Sequence, residues 1–363
     1  MRILGVIDSF GLGGAETQLA ESLSYLAERR GHACLACSLR PELSKEATFA
    51  NAVERLYLTK TSRRSLPNVV MSLRRVLRRY RPTVVYSRLP MGNGVARLAT
   101  VSTRPRVRHV TGIDTVPQMY GLGYSIAHPG SVLFRYLEAL GDTVVCNSDA
   151  TARAMRAAGC PPHRLAVVPN GIDTERFRPA AQSDKRTPLR AICVASLRPE
   201  KGLPRLVCIL APLLRERLFE LTVVGDGEGR SDLERTVRDE AVSGSVTLAG
   251  AHKDVVPLLQ SADFYVSAAR VEGFGISVAE AAACGLPAVV SNVPGGIAEV
   301  VKHGTTGYLA ASDDDDAFRR HVHNLASSAP QRHRMGLAAR AHVVANYSLP
   351  IVAHQLENVL EGG

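Results

Sequence analysis

The chain contains no tryptophan, and aromatic residues make up only 5% of it. Aromatic stacking platforms are therefore not expected to dominate binding. No apolar run approaches the roughly 18–20 residues that a membrane-spanning helix requires. The opening "MRILGVIDSF" is too short in its apolar part, and too soon followed by glycines, to serve as a signal peptide. It predicts a first β-strand, and a cytoplasmic location is expected. The cysteines are seven, an odd number, and scattered. Cys34 and Cys37 form a CxxC inside "HACLACSL", a predicted strand whose alternation sends the two thiols to opposite faces. No second cysteine pair completes a zinc site, so both are expected to be small buried hydrophobes. Acidic residues are missing altogether between Arg55 and Ile113.

That last gap accounts for much of the net charge of +10, since the second half of the chain is close to neutral. The basic stretch "TSRRSLPNVVMSLRRVLRRYRP" predicts an amphipathic surface helix, with Val69, Val70, Leu73, Val76 and Leu77 facing inward and the arginines solvated. Such a patch also suits an anionic membrane surface, a charged acceptor or nucleic acid. The patch alone suggests nucleic acid, and no nucleic-acid partner is assigned.

The 363 residues suffice for two domains. Predicted strands "RILGVID", "HACLACSL", "TVVYSR", "RVRHV", "TVVCNS" and "LAVVP" alternate with amphipathic helices, the clearest from Ala15 to Arg30. This pattern predicts an α/β domain with a covered parallel sheet. The polar, proline-containing "DTERFRPAAQSDKRTPLR" reads as a linker, after which "AICVAS", "LTVVG", "VTLAG", "DFYVSA", "PAVVS" and "GYLA" begin a second series. Two doubly wound domains are expected, residues 1–178 and 179–348, with the ligand in a cleft between their sheets. The run Asp313–Asp316 reads as a helix cap and first turn.

Four strand-to-helix connections could carry chemistry. "SFGLGGAE" lets the backbone approach a ligand at a helix N-terminus, yet it is not the dinucleotide fingerprint, because Glu16 takes the third glycine's place. A plain tight turn is the structural alternative. "VASLRPEKGLPRL" sets Arg198 and Lys201 where a phosphate could be neutralised, and "VVGDGEGRSDLE" places Gly225 in a second glycine turn. Either could also be a simple connection. In "VEGFGISVAEAAACGLP" a helix begins near Gly275, so the amides of Gly275, Ile276 and Ser277 would point outward at a diphosphate. Carboxylates would be repelled by phosphate. Glu280, more than one turn in, can instead reach a ribose diol, and Glu272 a sugar hydroxyl on the other side. The alternative is an ordinary helix glutamate and a cap.

Taken in order, "GLGGAETQLAESLSYLAERRGH", "VVPNGIDTERFRP", "VASLRPEKG", "VVGDGEGRSDLE", "VEGFGISVAEAAACGLPAVVSNVPGGIAEVV" and "HGTTGYLA" resemble the retaining glycosyltransferases of family 4, whose fold is the two-domain GT-B arrangement. The glutamate pair, with seven residues between, is the most specific mark. The resemblance implies that Gly13 and Gly14 approach the donor phosphates, Lys201 binds the diphosphate, Glu280 the ribose, and Glu272 the donor sugar. It implies that the amides from Phe274 to Ser277 hold sugar and phosphate. It also implies nucleotide on the C-terminal domain, acceptor on the N-terminal one, and a C-terminal helix, 349–363, packed back on the first domain. Two positions depart from the pattern. Ser196 stands where many relatives carry a phosphate-binding arginine, with Arg198 as the displaced substitute. A histidine near the donor sugar best matches Thr111, with His109 two residues earlier; a structural strand histidine is the alternative there.

The expected reaction is transfer of a hexosyl or N-acetylhexosaminyl unit from a nucleoside-diphosphate sugar, UDP-linked ahead of GDP-linked, to an acceptor hydroxyl on a lipid-linked, polyol or natural-product molecule. No cofactor or metal is expected, since no Asp-x-Asp motif sits at a strand end. Lys201, Arg198 and the helix end would stabilise the leaving phosphate. The resemblance implies retention of configuration, and same-face attack is the expected route. Peripheral contact with the inner face of an anionic membrane is part of the expectation. An epimerase or phosphorylase of similar fold, or an inactive nucleotide-sugar-binding subunit, are the alternatives.

Overall fold

The computed structural model describes residues 1–11, 13–41, 47–59, 65–101, 103–115, 141–180 and 188–362. Residues 61–64 of the basic run and 181–187 of the expected linker lie outside these. Among the described residues the chain divides into two units, Met1–Gly171 with Leu349–Gly363, and Ile172–Ser348.

The first unit holds a parallel sheet of β1 (Arg2–Ile7), β2 (Ala33–Ser38), β3 (Val53–Tyr57), β4 (Val84–Arg88), β5 (Arg108–Ile113), β6 (Thr143–Cys146) and β7 (Leu165–Val167), in the order β3-β2-β1-β4-β5-β6-β7. Its strands are apolar almost throughout because helices cover both faces. Alternation sorts the side chains. Ile3, Ile7, Cys34 and Val84 pack against Leu19 and Leu23 of the helix Gly14–Arg30 and against Val352 and Leu356 of the helix Leu349–Glu361. Leu4, Val6, Leu35 and Cys37 pack on the other side against Val69, Leu73 and Leu77 of the helix Leu66–Tyr80 and Val95 of Pro90–Thr100. Cys34 and Cys37 thus point to opposite faces, and burial pushes both thiols up to about 12. In the basic helix Val69, Val70, Leu73 and Leu77 are buried and Val76 packs at their edge, as its periodicity predicts.

In the second unit β8 (Leu189–Val194), β9 (Phe219–Val224), β10 (Val246–Gly250), β11 (Phe264–Ser267), β12 (Ala288–Asn292) and β13 (Gly307–Ala311) form a parallel sheet ordered β10-β9-β8-β11-β12-β13. Ala191, Cys193, Val223 and Phe264 meet Leu206, Leu210 and Phe318 on one face. Ile192, Tyr265 and Val290 meet Val278, Ala282 and Val343 on the other. Both sheets reverse strand order beside their first strand, at β1/β4 and at β8/β11. A doubly wound sheet presents its ligand crevice at such a point, outside the carboxyl ends of the strands. The acidic run caps the helix Asp315–Ser327, with Asp314 accepting from the Ala317 amide at 2.7 Å.

The boundary falls seven residues before the one composition suggests: the chain enters the second unit at Ile172, not 179. The reason lies in Phe177, whose ring is buried in the second core although its neighbours are polar. Main-chain carbonyls of Thr174 and Phe177 also accept from Arg340 at 3.4 and 3.1 Å. No helix among the described residues is long and apolar enough to cross a membrane.

The helix Leu349–Glu361 is fastened to the first unit at Glu357. Its carboxylate accepts from Arg30 Nε at 2.8 Å and from His32 Nε2 at 2.6 Å. Burial acts to raise its pKa, but the hydrogen bonds and charges of Arg30 and His32 outweigh it and hold the carboxyl below its ordinary 4.5. A carboxylate with a lowered pKa stabilises above its unfolded value and loses that contribution as pH falls through the folded one. Glu357→Ala is expected to lower the melting temperature at neutral pH, with the deficit shrinking below pH 4.5. A deficit that stayed constant through the acid range would contradict the clasp.

Candidate functional site

The loops after β8, β9, β11 and β12 converge at the switch point of the second sheet. After β8 the chain makes a tight turn, Arg198 N–H to Ser196 C=O at 2.8 Å, and enters a single 3-10 turn, Pro199–Lys201. Leu197 anchors this turn, buried and bonded through its N–H to Asp226 C=O at 3.0 Å and through its C=O to Gly229 N–H at 2.7 Å. The glycines after β9 make that approach possible, since a Cβ at Gly225 would overlap the Ala195 carbonyl oxygen. The β8 loop also joins the β11 loop, with Arg270 N–H donating to Glu200 C=O at 2.9 Å.

Across the switch point Lys201 Nζ meets Glu272 Oε2 at 2.8 Å, the two side chains 25% and 19% exposed. Burial works against the lysine's charge, but Glu272's attraction and hydrogen bond prevail, aided by Glu200, and the pKa rises above 10.5. A cation with a raised pKa persists as pH rises through its ordinary value, so Lys201 is charged across the neutral range.

Just after Glu272, Gly275 adopts φ 95° and ψ 52° and caps the helix Ile276–Ala283. The amides of that first turn have no intrahelical acceptor, and the helix dipole makes this end attractive to an anion. Glu280 follows Ile276 by one turn, on the same side of the helix. The loop is held in place by the one after β12. Gly296 N–H donates to Gly273 C=O at 2.7 Å, and Gly295, at φ 127°, lies against the Glu272 carbonyl where a Cβ would overlap it.

The structure thus brings together Lys201, Glu272, Ser196, Arg198, Gly225 and Gly275 through Glu280 at one set of strand ends. Phe274 and Ser277 are also engaged within the protein. Phe274 is buried, its ring edge-on to Tyr347 at 5.1 Å, so only its backbone remains for a ligand. Ser277 Oγ lies 2.9 Å from the hydroxyl of Tyr265, which donates to Val194 C=O at 3.1 Å. Sequence reasoning missed Tyr265 and Gly295. Tyr265 sits in an apolar strand pattern, and the "PGG" of the β12 loop gives no hint of which main chain it touches.

In the first unit, Gly13 and Gly14 open the helix after β1 at the switch point of that sheet. The Glu16 carboxylate folds back over Gly13, where a Cβ would overlap it. Burial raises the pKa of Glu16, and Asp114 and Asp8 add to the rise, against its own backbone hydrogen bond and Arg88. Arg88 is buried and holds Asp114, with Nη2 also donating to Asn170 Oδ1 at 3.0 Å. His109 is fully buried, Nε2 donating to Ser87 Oγ at 2.8 Å while Ser87 donates to Asn93 at 2.7 Å. Burial, then Arg97, pushes its pKa down to about 3. Thr111 is equally buried, and its hydroxyl has no hydrogen-bond partner among the described residues. These two side chains occupy the interior of the first sheet's unit. One grouping with metal-ligand character is found among the described residues, His32, Glu357 and Glu361. Its Glu357 is taken by Arg30 and His32.

Two family models match the chain: "Glycosyltransferase Family 4" over residues 12–176 and "Glycosyl transferases group 1" over residues 173–342. A GDP-mannose-dependent monoacylated alpha-(1-6)-phosphatidylinositol monomannoside mannosyltransferase of Corynebacterium glutamicum is 31% identical over 261 residues, 66% of this chain and 67% of the relative. A GDP-mannose-dependent alpha-(1-6)-phosphatidylinositol monomannoside mannosyltransferase of Mycobacterium tuberculosis is 27% identical, covering 99% of this chain and 98% of the relative. Among solved structures, the sucrose-phosphate synthase of Thermosynechococcus elongatus superposes with a TM-score of 0.87 at 17% identity, covering 99% of this chain and 98% of that one. Anabaena HepE in complex with UDP and glucose superposes with a TM-score of 0.83 at 18% identity, covering 100% of both chains. The fold is therefore GT-B, built of two Rossmann-like α/β domains.

The glycine contacts give a direct test of how the loop is set. Gly295→Ala is expected to displace the Glu272 loop and to weaken binding of a nucleoside diphosphate. Gly304→Ala also sits at positive φ but faces open space, and should cost only the backbone penalty of about 1–2 kcal/mol. Equal effects of the two substitutions on binding, measured by calorimetry, would contradict the packing described.

Proposed function

Because this chain belongs to glycosyltransferase family 4, we propose that it transfers a hexosyl unit from a nucleoside-diphosphate sugar to an acceptor hydroxyl, with retention of configuration. The Lys201–Glu272 pair beside the N-terminus of the helix Ile276–Ala283, whose cap makes no side-chain hydrogen bond, carries this reading. A diphosphate seated at the helix end draws Lys201 to it and is further neutralised by Arg198. Glu272, released from its partner, then takes up hydroxyls of the donor sugar. Glu280, one turn into the helix, takes the ribose diol. The family resemblance assigns Gly13 and Gly14 to the donor phosphates as well.

As the glycosidic bond to phosphate breaks, negative charge grows on the diphosphate. Fixed cations and a helix end already in place stabilise that charge without reorganising, and one such donor lowers the barrier by about 3–4 kcal/mol. A covalent intermediate calls for a carboxylate close to the anomeric carbon, whereas Glu272, once released from Lys201, is taken up by hydroxyls of the donor sugar. Attack on the same face, with the leaving phosphate oxygen accepting the acceptor's proton, fits better.

The relatives' names support GDP-mannose as the first donor to test, ahead of the UDP-sugars that the sequence alone favours. They likewise support a lipid-linked acceptor carrying polyol hydroxyls, met by the N-terminal domain at the cytoplasmic face of a membrane. Transfer should be measured with labelled GDP-mannose and UDP-glucose, with and without a chelator. The reading expects product with the anomeric configuration of the donor, unaffected by chelation. It expects kcat to fall roughly 10²- to 10³-fold in Lys201→Ala. Free nucleotide release that is insensitive to Lys201, or no sugar transfer from any donor, would overturn it.

The membrane side rests on the helix Leu66–Tyr80. Its outward residues include Arg75, Arg78, Arg79 and Met71, the last 42% exposed. With no acid from Arg55 to Ile113 to oppose them, these arginines suit anionic lipid headgroups. Replacing Arg75, Arg78 and Arg79 by Ala should weaken sedimentation with phosphatidylglycerol vesicles roughly 100-fold, at about 1 kcal/mol per arginine. Binding to phosphatidylcholine vesicles should be weak for both proteins. Undiminished binding of the variant to anionic vesicles would place the contact elsewhere.

A further inference from the structure

The polypeptide passes between its two units twice, at Gly171–Ile172 and at Ser348–Leu349. Each passage is bonded to a residue of a helix that opens from, or packs against, a loop of the candidate site. In the first unit Gln18 is 2% exposed. Its amide exchanges two 2.8 Å hydrogen bonds with the backbone of Gly171, donating to the carbonyl and accepting from the N–H. That is the pattern of one rung of a β-ladder, supplied by a side chain. Gln18 lies one helical turn from Gly14, so the last residue of the first unit is fixed to the helix that the glycine loop opens. Asn170, the residue before, is held by Arg88. Gly171 has no room to move aside, since a Cβ there would lie 3.0 Å from Leu349 Cδ1 and 3.3 Å from its Cα.

The second unit repeats the device. Ile172 N–H donates to Tyr347 C=O at 2.7 Å, and Ile172 bridges Ser348 as in a parallel sheet. The Tyr347 ring stands edge-on to Phe274, in the loop between Glu272 and the helix Ile276–Ala283, and its hydroxyl donates to Glu299 C=O at 3.0 Å. Tyr347 therefore touches the Glu272–Gly275 loop directly, and Gln18 ties its passage to the helix that the glycine loop opens.

We propose that Gln18 and Tyr347 are positioning residues for transfer: they hold the glycine loop and the Glu272–Gly275 loop in register with the chain passages. Neither touches the donor in this account. The proposal rests on the glycosyl-transfer reading above, and the test separates the two. If the wild-type protein binds no nucleotide-sugar, that reading fails, whatever the variants do.

The test compares Gln18→Met, of similar shape but without hydrogen bonds, with Gln18→Glu, which still accepts from the Gly171 N–H but cannot donate to its carbonyl. Tyr347→Leu and Tyr347→Phe form the second pair. For each full-length variant the melting temperature, the GDP-mannose dissociation constant and the kcat for transfer are measured. Misplacement of reacting groups by about an ångström costs on the order of 100-fold in rate. Gln18→Met is expected to lose roughly 10- to 100-fold in kcat, with donor affinity held within about two-fold. Gln18→Glu, which sets a carboxylate against the Gly171 carbonyl and the Glu21 carboxylate, should lose at least as much kcat as Gln18→Met. Tyr347→Phe, which keeps the ring contact with Phe274, should restore most of the kcat that Tyr347→Leu loses. Wild-type kcat in Gln18→Met, or losses of kcat and donor affinity that merely follow the fall in melting temperature across the four variants, would overturn the proposal.

Discussion

The ion pair between Lys201 and Glu272 spans the point at which the second sheet reverses its strand order, and much of the site depends on it. The lysine comes from the turn after β8 and the glutamate from the loop after β11, strands that are neighbours in the sheet though far apart in the chain. Partial burial would by itself favour the neutral lysine. The carboxylate reverses that preference and keeps a cation ready beside the helix N-terminus. Such a pair is a poor source of stability, because two charges lose much of their hydration to form it. In the proposed reaction its value lies in being exchangeable: an incoming diphosphate replaces the carboxylate and leaves the glutamate to hydroxyl groups.

Backbone packing, more than side-chain bonding, keeps the pair in place. Gly225, Gly295 and Gly202 each bring one loop onto the carbonyl of another at distances that leave no space for a Cβ. The four loops therefore form a continuous surface of main chain, with Leu197 and Phe274 turned down into the core as anchors. A site built this way tolerates little change at its glycines. It needs few polar side chains, in keeping with a ligand whose phosphates can be bound by amides.

Much of this was legible in the sequence. Apolar strands alternating with amphipathic helices dictate two covered parallel sheets, and glycine-rich turns after strands mark the connections that meet at the strand ends. Glu272 and Glu280 stand out because acids are costly in a run of small apolar residues. What could not be read is which groups find each other. The Lys201–Glu272 contact joins positions 71 apart, and nothing local signals it. His109 illustrates the opposite case. The family resemblance offered it, or Thr111, as a sugar contact, with a strand histidine as the alternative, and it is wholly buried on Ser87. The domain boundary was displaced because one aromatic, Phe177, enters the second core from a polar stretch. The clasps at Gln18 and Glu357 depend on pairings across 153 and 325 or more residues, beyond the reach of any periodicity.

The most direct test is the position of a bound nucleotide. A crystal structure of the protein with GDP or UDP should show the diphosphate at the first turn of the helix Ile276–Ala283, within hydrogen-bonding distance of Lys201, and the ribose at Glu280. A nucleotide bound elsewhere, with Lys201 still on Glu272 and the helix end empty, would contradict the account.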